Sequence, residues 1–199
     1  MTTIAVRGDD RPRHSAISVP TTANRGGERE EAMLNRMWSV TSALMLAGLI
    51  AWMWAYPKLI AGYEVHQVFG WSEALSGLGF MDPYVRWVAG AVAAAALVML
   101  LIGKTRLIGA YLAAGLSAFY VVLHATPWLG PAIPAHDVLV NGLQMGLSAE
   151  QIRAAARLDD VHIIMSLVNG MLAGVIIASE LGRRRQAEEP RRVATFALN

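Results

Sequence analysis

Four long apolar runs separated by polar stretches set the pattern of this chain. Met37 to Tyr56 is 20 residues without a charge, and Trp87 to Gly103 is 17, bounded by Arg86 and Lys104. Leu107 to Trp128 is 22, with His124 its one imidazole, and Val161 to Ser179 is 19, with His162 near its start. A helix crossing the hydrocarbon core of a bilayer takes about 20 such residues, and all four runs fall in the accepted range. Lipid offers the backbone no hydrogen-bond partner, so a spanning segment is a helix or part of a closed barrel. The runs lack the alternation of barrel strands. The pattern therefore predicts an all-α integral membrane protein, a four-transmembrane-helix bundle. The predicted helices are 37–56, 87–103, 107–128 and 161–181, within one domain over 33–185.

The stretches between the runs carry their own signals. Residues 1–32 mix Arg, Thr, Gly and acids without apolar periodicity, which predicts a disordered tail. Met33 stands just before the first run and is a candidate start. Pro57 marks the exit of the first helix, and Lys58 is placed to snorkel at the interface. Trp71-Ser72-Glu73 resembles a helix start, with turns at Gly77, Gly79 and Pro83. Asp137 to Gly146 is a second short helical pattern. Ser148 and Gln151 have capping-box spacing, and the amphipathic segment they open is expected to run into the fourth helix. Both long loops thus carry short interfacial helices. The second run is alanine-rich and is expected to be central in the bundle. Gly103-Lys104-Thr105-Arg106 forces a tight hairpin. Gly170-Met-Leu-Ala-Gly174 is a G-x-x-x-G contact face. Arg183, Arg184 and Arg185 are expected to end the last helix, leaving 186–199 as a tail.

Composition agrees: the 199 residues are 55% hydrophobic and 16% charged, against about 25% charged in soluble domains. Thirteen Lys and Arg fall before the first run, in the 103–106 turn, or after the fourth run; the two long loops hold four. The positive-inside rule then predicts cytoplasmic termini and outward loops over 57–86 and 129–160. Trp52, Trp54, Trp71, Trp87 and Trp128 lie near that outer face, as an aromatic belt would. The basic residues sit at helix ends, so the nominal pI of 9.2 does not argue for nucleic acid. With no cysteine, thiol catalysis, disulfides and iron–sulfur ligation are excluded.

Candidate chemistry gathers toward the outer face. Ser117, Tyr120 and His124 share one face of the third helix; His162, Ser166 and Asn169 share one face of the fourth. Asp159, three residues before His162, is placed to orient its ring. His66 and His136 lie in the two outer loops. Several readings stay open. His124 and His162 ligate a haem b axially. His124, His162, His66 and His136 with Asp159 or Asp160 bind copper or zinc. A pocket of Tyr120, His124, His162, Ser166 and Asn169 receives a quinone head group, with histidine as proton partner. In the structural reading these are interfacial histidines satisfied by carbonyls and water, and Ser117, Ser166 and Asn169 are inter-helix glue. No Asp, Glu, Lys or Arg lies mid-run, which weighs against a transporter.

The order of several features also resembles a known family. Trp54-Ala-Tyr56-Pro57-Lys58-Leu-Ile closes the first helix, and Gly79-Phe80-Met-Asp-Pro83 follows in the loop. Leu100-Leu-Ile-Gly103-Lys104-Thr105-Arg106-Leu-Ile-Gly-Ala110 joins the second and third helices. Over residues 37–128 this is similar to the DoxX family of small four-helix prokaryotic membrane proteins. The resemblance implies a multi-pass plasma-membrane subunit linked to respiratory, quinone or thiol redox chemistry. It also implies partners among other membrane or periplasmic subunits, or a homo-oligomer. It carries over no catalytic residue. The alternative expectation is a non-catalytic accessory or assembly subunit of a larger membrane complex.

Overall fold

The computed structural model describes residues 22–61, 64–156 and 158–197; positions 1–21 of the tail expected over 1–32 lie outside them. The first span comprises α1 (Thr22–Leu49), a π-helical stretch over Ile50–Ala55, and α2 (Tyr56–Leu59). α3 (Gln67–Ser76) occupies the first long loop. A wide turn over Met81–Val85 opens α4 (Arg86–Leu101), and α5 (Arg106–Ala125) follows. The second long loop holds β1 (Ile133–Pro134), α6 (His136–Gln144), α7 (Ala149–Ala155) and β2 (Leu158–Asp159), before α8 (Val161–Ala197). The two strands pair antiparallel, Ile133 opposite Asp159.

Among the described residues four helices are long and apolar enough to cross a membrane: Met33–Leu59, Met81–Leu101, Arg106–Ala125 and Val161–Glu188. The chain is an all-α membrane protein built on a four-helix bundle. Its outward side chains agree. Val98, Ile108, Val122, Leu167 and Met171 are exposed, a belt that would be a liability in water and that matches lipid tails.

The bundle is an antiparallel ring: α4 packs on α5, α5 on α8, α8 on α1, and the end of the first span returns to α4. Small residues make the close contacts. Ala89, Ala93 and Ala96 of α4 and Ala110 and Ala113 of α5 are all buried. Gly109 sits at the tightest point, where a Cβ would lie 2.7 Å from the backbone nitrogen of Leu100. The hairpin is fastened by side chains on the last carbonyls of α4: Thr105 Oγ1 donates to Met99 O, and Arg106 Nε to Leu100 O. Such carbonyls have no partner within their own helix.

Several details differ from the sequence reading. α1 begins at Thr22, so residues 22–32 are helical rather than a disordered tail. α8 does not stop at Arg183 to Arg185 but continues to Ala197. α7 opens on the Ser148–Gln151 capping box yet does not run into α8. It ends at Ala155, and the extended backbone of Ala156 leads to β2. The G-x-x-x-G face is half used: a Cβ added at Gly170 would lie 3.5 Å from Ser117 Cβ, whereas one at Gly174 would meet nothing from the rest of the protein within 4 Å. The buried stripe of α8 is instead Ser166, Asn169, Ala173, Ile176 and Glu180. α4 is not the central helix, since the bundle is a ring and α5 is the more buried of the two, 50% against 33%.

At the end away from the 102–105 turn, α3, α6, α7 and the strand pair form a cap with its own core. Phe69, Trp71, Leu129, Ile133, Leu139 and Ile152 are almost wholly buried there. Trp71 is therefore no belt residue. Its exposure is 0%, its Nε1–H donates to Leu129 O at 3.2 Å, and the Arg153 guanidinium lies 5.6 Å from its ring. Trp52, Trp87 and Trp128 are exposed as a belt requires; Trp54 is buried.

Candidate functional site

The site begins where the first span ends. Pro57 has no N–H to offer Met53 O, the carbonyl four residues back. Lys58 Nζ approaches that oxygen at 3.5 Å. Lys58 does not snorkel: it is 4% exposed, and its ammonium lies 5.3 Å from the centre of the Tyr120 ring, a cation–π arrangement. Trp54 and Phe69 pack on the same ring at 5.3 and 6.1 Å. This aromatic layer forms a floor. The π-helical stretch adds turns of a wider helix at this level, and such stretches recur at functional sites.

Above the floor, three histidines from three segments line one cavity of about 300 Å³. His66 precedes α3, His136 opens α6 and His162 opens α8. Gln67 joins them, and Trp52, Met53, Tyr56 and Pro57 supply the apolar wall. Trp52 and Tyr56 are stacked at 6.3 Å with rings 4° from parallel. Both are exposed, on the last turns of the first span.

Hydrogen bonds fix each ring. Val68 N–H donates to His66 Nδ1 at 3.2 Å, so this histidine caps α3 with its ring and its proton sits on Nε2. Burial, aided by the nearby charges of Lys58, His162, Arg86 and His136, holds His66 far below the ordinary imidazole pKa. It is neutral at physiological pH. His136 Nε2–H donates to Val65 O at 3.0 Å. His162 Nε2–H donates to Gln67 Oε1 at 3.1 Å, and Gln67 Nε2 donates to Pro134 O at 2.8 Å. A chain of bonds thus ties α8, α3 and β1 together.

Asp82 anchors His66 from behind. Its Oδ2 accepts from His66 N–H at 2.6 Å, its Oδ1 pairs with Arg86 at 3.1 Å, and its own N–H donates to Glu73 Oε2. Asp82 has extended backbone (φ −122°, ψ 113°), the conformation that a following proline favours. The Asp82-Pro83 step is thus the local reason His66 is held in place.

Of the residues singled out from sequence, His162, His66 and His136 meet in this cavity and the others do not. His124 lines a separate hollow with Pro131 and Arg153; its Nδ1–H donates to Gly130 O at 2.8 Å. Tyr120 is buried in the floor. Ser166 Oγ donates to His162 O, and Ser117 Oγ to Ala113 O. Asn169 is buried in the bundle, its amide without a hydrogen-bond partner among the described residues. Asp159 pairs through its backbone with Ile133; its carboxylate lies outside the described side chains.

This placement bears on the cofactor readings. His124 and His162 do not share a cavity, so axial ligation of a haem by that pair does not fit. No group of three or more His, Asp or Glu among the described residues is placed to hold a metal ion. From sequence, Gln67 and Glu180 do not stand out, and Lys58 reads as an interface residue. Glu180 nonetheless carries a signal, since it continues the 3–4 spacing of Ser166, Asn169, Ala173 and Ile176 along α8. Gln67 had none, because its role depends on the fold bringing Pro134 and His162 to it. No protein family, curated protein or solved structure matches the chain.

Proposed function

We propose that this chain is an integral membrane subunit of redox chemistry, and that its three-histidine cavity receives the head group of a quinone. The observation that carries this reading is the cavity itself: imidazole and amide groups on one side, and a stacked, exposed Trp52–Tyr56 pair at the end of the first span on the other. His66, as neutral Nε2–H donor, suits a quinone carbonyl. The aromatic pair suits the ring and the start of its apolar tail.

Reduction of a quinone takes two electrons and two protons. In this reading His66 holds a quinone carbonyl as a hydrogen-bond donor, and the two protons are taken up from water at the outer face. A partner redox subunit supplies the two electrons. In this reading the chain resembles the DoxX family in role as well as in sequence. It sits in a prokaryotic plasma membrane with cytoplasmic termini, and the cavity opens at the outer leaflet.

A short-chain quinone titrated against the purified protein in nanodiscs tests the proposal, with quenching of Trp52 as the readout. Binding is expected to saturate. His66→Ala should weaken it about tenfold or more, the worth of one hydrogen bond to the ring, and His162→Ala should weaken it by releasing Gln67. His124→Ala should leave it unchanged. Equal binding in all three variants would remove the cavity from the account and favour a non-catalytic accessory subunit.

A further inference from the structure

At the far end of the bundle a larger cavity, about 930 Å³, opens among α1, the 102–105 turn and α8. Five cationic side chains and one carboxylate line it. The carboxylate, Glu180, is buried and already occupied. It accepts from Ser39 Oγ at 2.6 Å and pairs with Arg106 at 3.5 Å and Arg183 at 3.1 Å. Arg36, Lys104 and Arg184 remain. They come from three different elements and are exposed, and among the described residues no carboxylate pairs with them.

We propose that this cavity holds the headgroup of an anionic phospholipid, its phosphate gripped by Arg36, Lys104 and Arg184. Three features favour a lipid over a soluble anion. The cavity lies at one end of the four apolar spans, beside the starts of Met33–Leu59 and Arg106–Ala125 and the ends of Met81–Leu101 and Val161–Glu188, where a span's end would meet lipid headgroups. Its cationic rim adjoins apolar wall residues, Val40 and Ile102, along which acyl chains run. Its volume is far larger than one phosphate needs. Continuation of α8 past Arg185 builds the outer wall with Gln186 and Ala187, which a helix ending at the arginines would lack. Arginine forks match phosphate oxygens bidentately, and basic pockets at helix ends recur as lipid sites.

Native mass spectrometry of the detergent-purified full chain, titrated with dioleoyl phosphatidylglycerol or dioleoyl phosphatidylcholine, tests this. One phosphatidylglycerol per chain should bind in preference to phosphatidylcholine. Arg184→Gln should weaken it about fivefold, and Arg36→Gln, Lys104→Gln and Arg184→Gln together about a hundredfold. Arg185→Gln is the matched control: it is exposed beside Arg184 but does not line the cavity, and it should change nothing. Equal weakening by Arg184→Gln and Arg185→Gln would show diffuse attraction and overturn the site. Full displacement of the lipid by millimolar inorganic phosphate would assign the cavity to a soluble anion instead.

Discussion

Trp71→Ala is expected to destabilise the protein by about 3–5 kcal/mol, the usual cost of emptying a buried aromatic site, and to abolish quinone binding with it. Trp71 is wholly buried in the cap. Its indole N–H holds Leu129 O, the start of the second long loop, and its ring packs under Arg153 of α7. It therefore fastens α3 to both the 129–135 segment and α7. His66 and Gln67 stand at the start of that same α3, so a loosened α3 misplaces two of the four polar groups of the cavity. Trp71→Phe separates the two effects. It keeps most of the volume and loses the Leu129 bond, so it should cost about 1–2 kcal/mol and retain binding. Thermal unfolding in detergent and quinone titration of both variants check this. A Trp71→Ala protein with unchanged melting temperature would show that the cap does not depend on this residue.

Glu180→Ala is expected to cost about 3 kcal/mol. Removing one partner from a buried ionic cluster leaves the others uncompensated. Here the orphan would be Arg106, whose side chain is only 12% exposed; Arg183, at 38%, can turn toward water. Glu180 also joins α8 to Ser39 of α1 and to the start of α5, so its loss weakens two helix contacts together. The double change Glu180→Leu with Arg106→Met should be milder than Glu180→Ala, because no buried charge is then left alone. Apparent melting temperatures of the single and double variants decide it. A double variant less stable than the single would mean that the cluster is worth more than its burial costs.

The fold was legible in the sequence where the physics is local. Run lengths of 17 to 22 apolar residues gave the four spans, and Ser148 with Gln151 gave the start of α7. The candidate site was legible only in part. His162, His66 and His136 stand out from sequence, but His124 reads with His162 because both stand near helix ends at one face. Depth along a helix is readable from sequence; rotation about its axis and the ring order of helices are not. His124 turns to Gly130, while His162 turns to Gln67, and only packing decides that. Lys58 shows the same limit. A lysine after Tyr-Pro reads as an interface residue, yet the π-helical stretch and the Tyr120 ring draw it inside. On position alone Trp71 reads as a belt residue, and the Leu129 segment that helps bury it lies more than 50 residues away in sequence.

A photoactivatable azidoquinone, irradiated with the purified protein in nanodiscs and followed by peptide mapping, tests the central claim most directly. The account predicts adducts on 52–57 or on His66 and Gln67, competed away by unmodified quinone. Competed adducts confined to 124–132, around His124, would contradict it, as would labelling that excess quinone does not suppress.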